Sequence, residues 1–112
     1  MDEKLAKYLK AGEGISLEFK RCGGSQVESD TFETICSFAN RQGGSILLGV
    51  LDDGSVAGIS TESAVSIERN IVNVTNNPKL FNVPPALEFE KLDAGNGKIV
   101  IRVWVPMGPS LY

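Results

Sequence analysis

The sequence lacks the residues that several common kinds of site require. It contains no histidine and only two cysteines, Cys22 and Cys36, which are too far apart for a Cys-x-x-Cys knuckle. Because a structural zinc site takes four nitrogen or sulfur ligands, one chain of this composition cannot assemble the usual one. No glycine stretch has the pattern Gly-x-x-x-x-Gly-Lys followed by Ser or Thr, so we expect no ATP hydrolysis by these residues.

Long apolar runs are also absent. No segment approaches the roughly 18 residues that cross a bilayer. The first four residues include Asp2, Glu3 and Lys4 and lack the apolar stretch of a signal peptide. We therefore expect a cytoplasmic protein without a membrane partner.

The chain has fewer basic than acidic residues. The chain has 11 basic and 14 acidic residues among 112, which gives a net charge of -3. It therefore lacks the overall basic field that attracts a polyanion. A nucleic-acid partner would have to use a local basic patch, or the basic surface would lie in other parts of a larger protein. With 42% hydrophobic and 22% charged residues, the composition is typical of one soluble globular domain.

Hydrophobic periodicity predicts an α+β, or mixed α/β, fold with a single mixed sheet, two main helices and two β-hairpins. The predicted helices cover residues 2–11, a segment from Asp30 that Gly43 and Gly44 end, and residues 62–76. The predicted strands cover residues 15–21, 45–50, 56–59, 87–92 and 98–105.

Two local patterns give finer expectations for the first strand and the helix that follows it. Ile15, Leu17 and Phe19 alternate with polar residues, so all three are expected on the buried face of a strand. Asp30 stands three residues before Glu33, which predicts a capping box with Asp30 as the N-cap.

Two further expectations concern later strands. The Asp-Asp-Gly-Ser turn at residues 52–55 predicts a hairpin in which residues 56–59 pair with the strand before the turn. Trp104 lies on the less apolar face of the last strand, where packing is favoured over stacking on a base.

Several spaced motifs occur in one order along the chain. Residues 13–20 read Glu-Gly-Ile-Ser-Leu-Glu-Phe-Lys, residues 37–44 read Ser-Phe-Ala-Asn-Arg-Gln-Gly-Gly, and residues 48–54 read Leu-Gly-Val-Leu-Asp-Asp-Gly, with Gly58 following. This succession resembles the Schlafen/Alba-like DNA-binding domain family of the AlbA_2 type. Two departures are Ser37, where alanine is usual, and Arg41, where threonine is common.

The resemblance implies an Alba/Schlafen-like domain that binds DNA or RNA within a longer bacterial transcriptional regulator or helicase-related protein. Residues 1–112 are then expected to be a single domain, an N-terminal fragment of that protein, cut at its C-terminal edge. The remaining domains of the parent protein would be its partners.

Candidate nucleic-acid-binding residues lie near the first strand and the end of the following helix. Cationic and amide side chains there could contact phosphate oxygens, and glycine could let a ligand backbone approach closely. The candidates are Lys20, Arg21, Asn40, Arg41, Gly43 and Gly44.

Two alternative functions stay open. The resemblance extends to animal Schlafens that are RNases with three carboxylates, whose motif positions correspond to Glu13, Glu18 and Asp52. Such a site would serve as a catalytic and metal centre for Mg²⁺ or Mn²⁺, because a divalent cation offsets the repulsion between the acids. Asp52 and Asp53 also suit a turn for purely local reasons, and the isolated domain is expected to be a binder more than an enzyme. The second alternative is a protein-interaction or dimerisation domain that forms a homodimer, which the acidic composition favours.

Overall fold

The computed structural model describes residues 1–108, which form one mixed sheet with three helices. The elements are α1 (Glu3–Ala11), β1 (Leu17–Lys20), α2 (Asp30–Ala39), β2 (Gly44–Leu48), β3 (Ile59–Ser60), α3 (Thr61–Thr75), β4 (Glu88–Gly95) and β5 (Lys98–Val105). The predicted α+β class with a single mixed sheet is confirmed. The expected cut edge after the last strand falls mainly on residues 109–112, which lie outside the described residues.

The first helix has both ends defined by its sequence. Asp2 is the N-cap of α1, and its carboxylate accepts hydrogen bonds from the backbone N–H groups of Lys4 (2.7 Å) and Leu5 (3.3 Å). Gly12 ends the helix at a φ of 76°, a conformation that glycine adopts without steric conflict.

The strand β5 is the centre of the sheet. It pairs along one edge with β4, and along the other edge with β2 and then β3, always in the antiparallel direction. The strand β1 lies parallel to β2 on the far side. The β4–β5 turn uses Asn96 and Gly97, both at positive φ as a two-residue hairpin turn requires.

The helices cover both faces of the sheet and divide the core in two. The larger cluster lies between the sheet and the helices α2 and α3, and includes Ile35, Ile46, Ile67, Ile71 and Val103. The smaller cluster lies under α1 on the opposite face. It includes Leu5, Phe19, Leu47, Leu92 and Val100.

Three details of the sequence-based prediction were wrong. Ile15 precedes β1 and is 73% exposed, because the chain turns through a bridge between Gly14 and Leu17 before the strand begins. Residues 56–59 do not return along β2. They contact it only through a bridge between Val50 and Val56, and β3 pairs with β5 instead.

The third error concerns the start of α2. Ser29 occupies the N-cap position and makes no capping hydrogen bond, while Asp30 is the first helical residue. No helix within residues 1–108 has both the length and the apolar character that crossing a membrane requires.

Candidate nucleic-acid interface

Lys20 lies at the carboxyl end of β1, where the sheet meets the start of α2. Its ammonium group forms an ion pair with the Asp30 carboxylate at 2.9 Å, and the Lys20 side chain is only 15% exposed. Burial alone would lower the pKa of Lys20, but the hydrogen bond and charge of Asp30 outweigh it and raise that pKa. Much of the charge that Lys20 could offer to a phosphate is therefore already neutralised by Asp30.

Glu18 lies two residues earlier on the same face of β1. Burial raises the pKa of the Glu18 carboxyl, and the nearby negative charges of Glu13, Asp30 and Asp52 raise it further, while Lys20 lowers it. Glu18 therefore lies in the field of several other carboxylates.

Glu13 has a defined structural contact. Its carboxylate accepts a hydrogen bond from the backbone N–H of Phe19 at 2.9 Å. In β1 the opposite edge pairs with β2, so this N–H belongs to the free edge of the strand. Glu13 thus satisfies a backbone donor that would otherwise lie open at the sheet edge.

The three predicted metal-binding acids, Glu13, Glu18 and Asp52, lie close enough for the charges of the other two to act on Glu18. Within residues 1–108, no group of three or more Asp, Glu, Cys or His side chains is arranged to hold a metal ion. Asp52 is exposed in the turn after β2. The neighbouring Asp53 accepts hydrogen bonds from the Ser55 N–H and hydroxyl, which lower its pKa. The catalytic and metal roles of Glu13, Glu18 and Asp52 stay predictions.

A cleft of about 500 Å³ opens at the carboxyl ends of the parallel strands β1 and β2. Its lining residues come from the segments that follow each strand: Arg21, Glu28, Leu51, Asp52 and Asp53. Arg21 is exposed and has no ion-pair partner among the described residues. The three carboxylates that share the cleft nevertheless oppose the approach of a phosphate to Arg21.

The second group of candidates lies at the opposite end of α2. Asn40 is the C-cap of this helix, and both Asn40 and Arg41 are exposed. The Arg41 guanidinium donates a hydrogen bond to the Ser37 hydroxyl at 2.9 Å. The two departures from the usual family motif, Ser37 and Arg41, therefore contact each other, and the serine holds the arginine side chain against the end of the helix.

Gly43 and Gly44 are buried, and the space beside each is filled by the protein itself. A Cβ on Gly43, which has a φ of 80°, would lie 2.7 Å from the Val105 carbonyl oxygen. A Cβ on Gly44 would lie 2.9 Å from the Phe38 ring. Other residues of the same chain make the close approach that glycine permits, which gives both glycines a packing role. Their role in binding nucleic acid stays a prediction.

The candidate cations thus fall into two sets separated by the length of α2. Lys20 contacts Asp30 at the first residue of the helix, and Arg41 follows its last residue. A ten-residue helix is about 15 Å long. The structure does not bring the two sets together at one point.

A cluster that sequence reasoning missed lies on the α1 face of the sheet. The Arg102 guanidinium donates hydrogen bonds to the Ser45 hydroxyl at 3.0 Å and to the Glu90 carboxylate at 3.2 Å. It also lies over the rings of Tyr8 (5.4 Å) and Trp104 (5.5 Å). The alternation along β5 placed Arg102 and Trp104 on one face, but no local pattern identified their partners.

This architecture defines the class of protein. The first motif segment contains β1, the second contains the end of α2 and the start of β2, and the third contains the end of β2 and the turn that follows it, within an α+β domain whose strands β1 and β2 pair in a mixed sheet. The model of the family described as Schlafen, AlbA_2 matches residues 13–111, and the chain belongs to this family. None of the curated proteins compared with the chain matches it.

Proposed function

We propose that this domain is a nucleic-acid-binding module. The observation that carries the proposal is membership of the Schlafen AlbA_2 family across residues 13–111. We further propose that the module works within a longer bacterial transcriptional regulator or helicase-related protein in the cytoplasm, with the other domains of that protein as partners.

The positions of the exposed positive charges favour binding along a nucleic-acid strand over binding at a single phosphate. Two exposed arginines among the candidate residues, Arg21 and Arg41, lie at opposite ends of α2. Phosphates follow one another at about 3.4 Å per strand along duplex DNA, so a gap of about 15 Å spans several of them. Arg41 is the stronger contact in this proposal, because Glu28, Asp52 and Asp53 oppose phosphate binding at Arg21.

The test is binding of fluorescently labelled single- and double-stranded DNA and RNA, measured by anisotropy across a salt series. Losing one phosphate contact should make the slope of log K against log salt shallower by roughly 0.7–0.9. We expect this change for Arg41→Gln and a smaller one for Arg21→Gln. The control is Lys7→Gln, which removes the same charge from α1 on the opposite face of the sheet.

Two results would contradict the proposal. One is a wild-type protein that retains no nucleic acid at low salt. The other is binding that does not weaken as salt is added, because phosphate contacts release counterions. If the protein is instead a stable dimer that ignores DNA and RNA, as light scattering would reveal, the dimerisation function is favoured.

A metal-dependent ribonuclease is the second candidate, and the environment of Glu18 favours it. Burial raises the pKa of Glu18, and the negative charges of Glu13 and Asp52 raise it further. A divalent cation bound between these acids would offset their repulsion. One carboxylate oxygen of Glu13 accepts the Phe19 N–H, so the other oxygen would serve as the ligand for Mg²⁺ or Mn²⁺. Cleavage of structured RNA with Mn²⁺ by the wild type, abolished in Glu18→Gln, would support this function. Equal cleavage by both proteins would indicate a contaminating nuclease.

A further inference from the structure

A second cleft, of about 260 Å³, lies between α3 and the loop that joins β1 to α2. Every residue that lines it carries a side chain able to donate a hydrogen bond. These residues are Ser25, Gln26, Ser66, Arg69, Asn70 and Asn73. None of them belongs to the motifs that identify the family.

The helical repeat explains why these side chains meet. Ser66, Arg69, Asn70 and Asn73 are spaced so that they share one stripe on α3. The side-chain oxygen of Asn70 accepts the Val27 N–H at 3.0 Å, which fixes the loop against the helix. With its oxygen used in this way, Asn70 keeps its NH₂ group as a donor.

Charge distinguishes this cleft from the one beside Arg21. No carboxylate lines the α3 cleft. Arg69 is exposed, and within residues 1–108 its guanidinium has no ion-pair partner. The adjacent Glu68 contacts Lys91 on β4 instead, at 4.0 Å. In an acidic domain, the α3 cleft therefore joins an unpaired cation to several neutral donors.

This chemistry suits one unit of a nucleic-acid strand. Arginine binds phosphate oxygens, and asparagine and glutamine amides pair with base edges, adenine in particular. The cleft is slightly smaller than a typical pocket for a drug-sized molecule, which is roughly 300–1,000 Å³. A base must leave a duplex to present its edge in such a concave site.

We propose that the α3 cleft binds a single-stranded segment, with Arg69 on a phosphate and the amides of Asn70 and Asn73 on a base edge. This inference rests on the proposed nucleic-acid-binding function and adds a site of base recognition to it. The loop between β1 and α2 borders both clefts, because Gln26 lines the α3 cleft and Glu28 lines the cleft beside Arg21. A nucleic-acid strand that crosses this loop therefore reaches both clefts.

The test compares Arg69→Gln and Asn73→Ala with the wild type, using labelled single-stranded adenine and uracil homopolymers and a duplex of mixed sequence. Arg69→Gln should bind the single strands about tenfold more weakly than the wild type, because it loses one charge-assisted hydrogen bond. Duplex binding should change much less. The wild type should prefer the adenine strand, and Asn73→Ala should reduce that preference.

The control is again Lys7→Gln, which matches the charge change of Arg69→Gln. If Arg69→Gln and Lys7→Gln weaken single-strand binding equally, the α3 cleft is not the site, although the proposed function stands. If the wild type shows no preference for the adenine strand, or if Asn73→Ala keeps that preference, Asn73 does not recognise the base. A wild type that binds none of the strands overturns both proposals. Urea denaturation of each variant identifies any loss caused by unfolding.

Discussion

Replacing Gly43 by alanine separates a packing role from a ligand-binding role for the glycine pair. Gly43 has a φ of 80°, and an added Cβ would lie 2.7 Å from the Val105 carbonyl oxygen and 3.1 Å from the Met107 backbone nitrogen. Gly54 provides a matched control, because its φ is 87° and nothing lies within 4 Å of the position of a Cβ. Both substitutions impose the left-handed conformation on alanine, but only Gly43→Ala adds a clash with backbone.

The two contributions can be estimated separately. Left-handed backbone costs an L-residue about 1–2 kcal/mol, and alanine recovers about 0.5 kcal/mol by restricting the unfolded chain. The overlap at position 43 adds about 1–3 kcal/mol, because both obstructing atoms belong to the main chain. We therefore expect Gly43→Ala to lower the free energy of unfolding by about 2–4 kcal/mol, and Gly54→Ala by about 1 kcal/mol.

The assay is urea denaturation followed by the fluorescence of Trp104, the one tryptophan of the chain. Nucleic-acid binding is then measured at a temperature at which Gly43→Ala is fully folded. Packing predicts a large loss of stability with nearly unchanged affinity. Equal losses of stability for Gly43→Ala and Gly54→Ala would refute the steric clash at position 43. A loss of nucleic-acid affinity in folded Gly43→Ala would support the predicted contact between Gly43 and the ligand.

Substitutions at three other positions test separate parts of the structure. Glu13→Ala leaves the Phe19 N–H without its acceptor and should reduce stability in urea by about 1 kcal/mol, whereas Glu13→Gln, which keeps an oxygen, should lose less. The raised pKa of Glu18 means that the native state binds this proton more tightly than the unfolded chain, so its contribution to stability declines as pH rises above 4.5. Glu18→Gln should therefore increase the urea midpoint at neutral pH more than below pH 4.5, and an equal change at both would contradict that direction. Arg102→Lys removes the planar guanidinium group and its stacking on the aromatic rings. It should lower the free energy of unfolding by about 1–2 kcal/mol and change the emission spectrum of Trp104. A variant with the stability and the emission spectrum of the wild type would show that the cluster does not stabilise the fold.

The sequence predicted the elements that depend on local patterns. The predicted strand 45–50 corresponds to β2, and its apolar sequence agrees with the burial of all five residues of this strand. The predicted strands 87–92 and 98–105 likewise correspond to β4 and β5, which pair as the last hairpin, although β4 continues to Gly95. These signals are local, because strand periodicity and turn chemistry operate over a few residues.

Expectations that depended on tertiary partners were less accurate. Aspartate is a residue type that N-cap positions favour, but the Asp30 carboxylate forms an ion pair with Lys20 at the start of α2. The short β3 pairs with β5, forty residues later in the chain, and not with the adjacent β2. No local pattern encodes either choice, since both depend on which distant element arrives at the same place.

The candidate site shows the same division. The motifs located the segments around β1, α2 and β2, but α2 keeps Lys20 and Arg41 apart, because the helix runs between them. The α3 cleft went unrecognised because its side chains come from two segments with no shared motif, which the Val27–Asn70 hydrogen bond brings together in the fold.

The central place of β5 in the sheet has a consequence for biosynthesis. Of the eight described elements, β5 leaves the ribosome last, yet β2, β3 and β4 all require it as a pairing partner. Pairings between segments so distant in sequence form slowly, because a long loop must close first. Until residues 98–105 emerge, the nascent chain therefore exposes the apolar strand β2 with one edge unpaired, which makes this interval the one in which a chaperone would matter most.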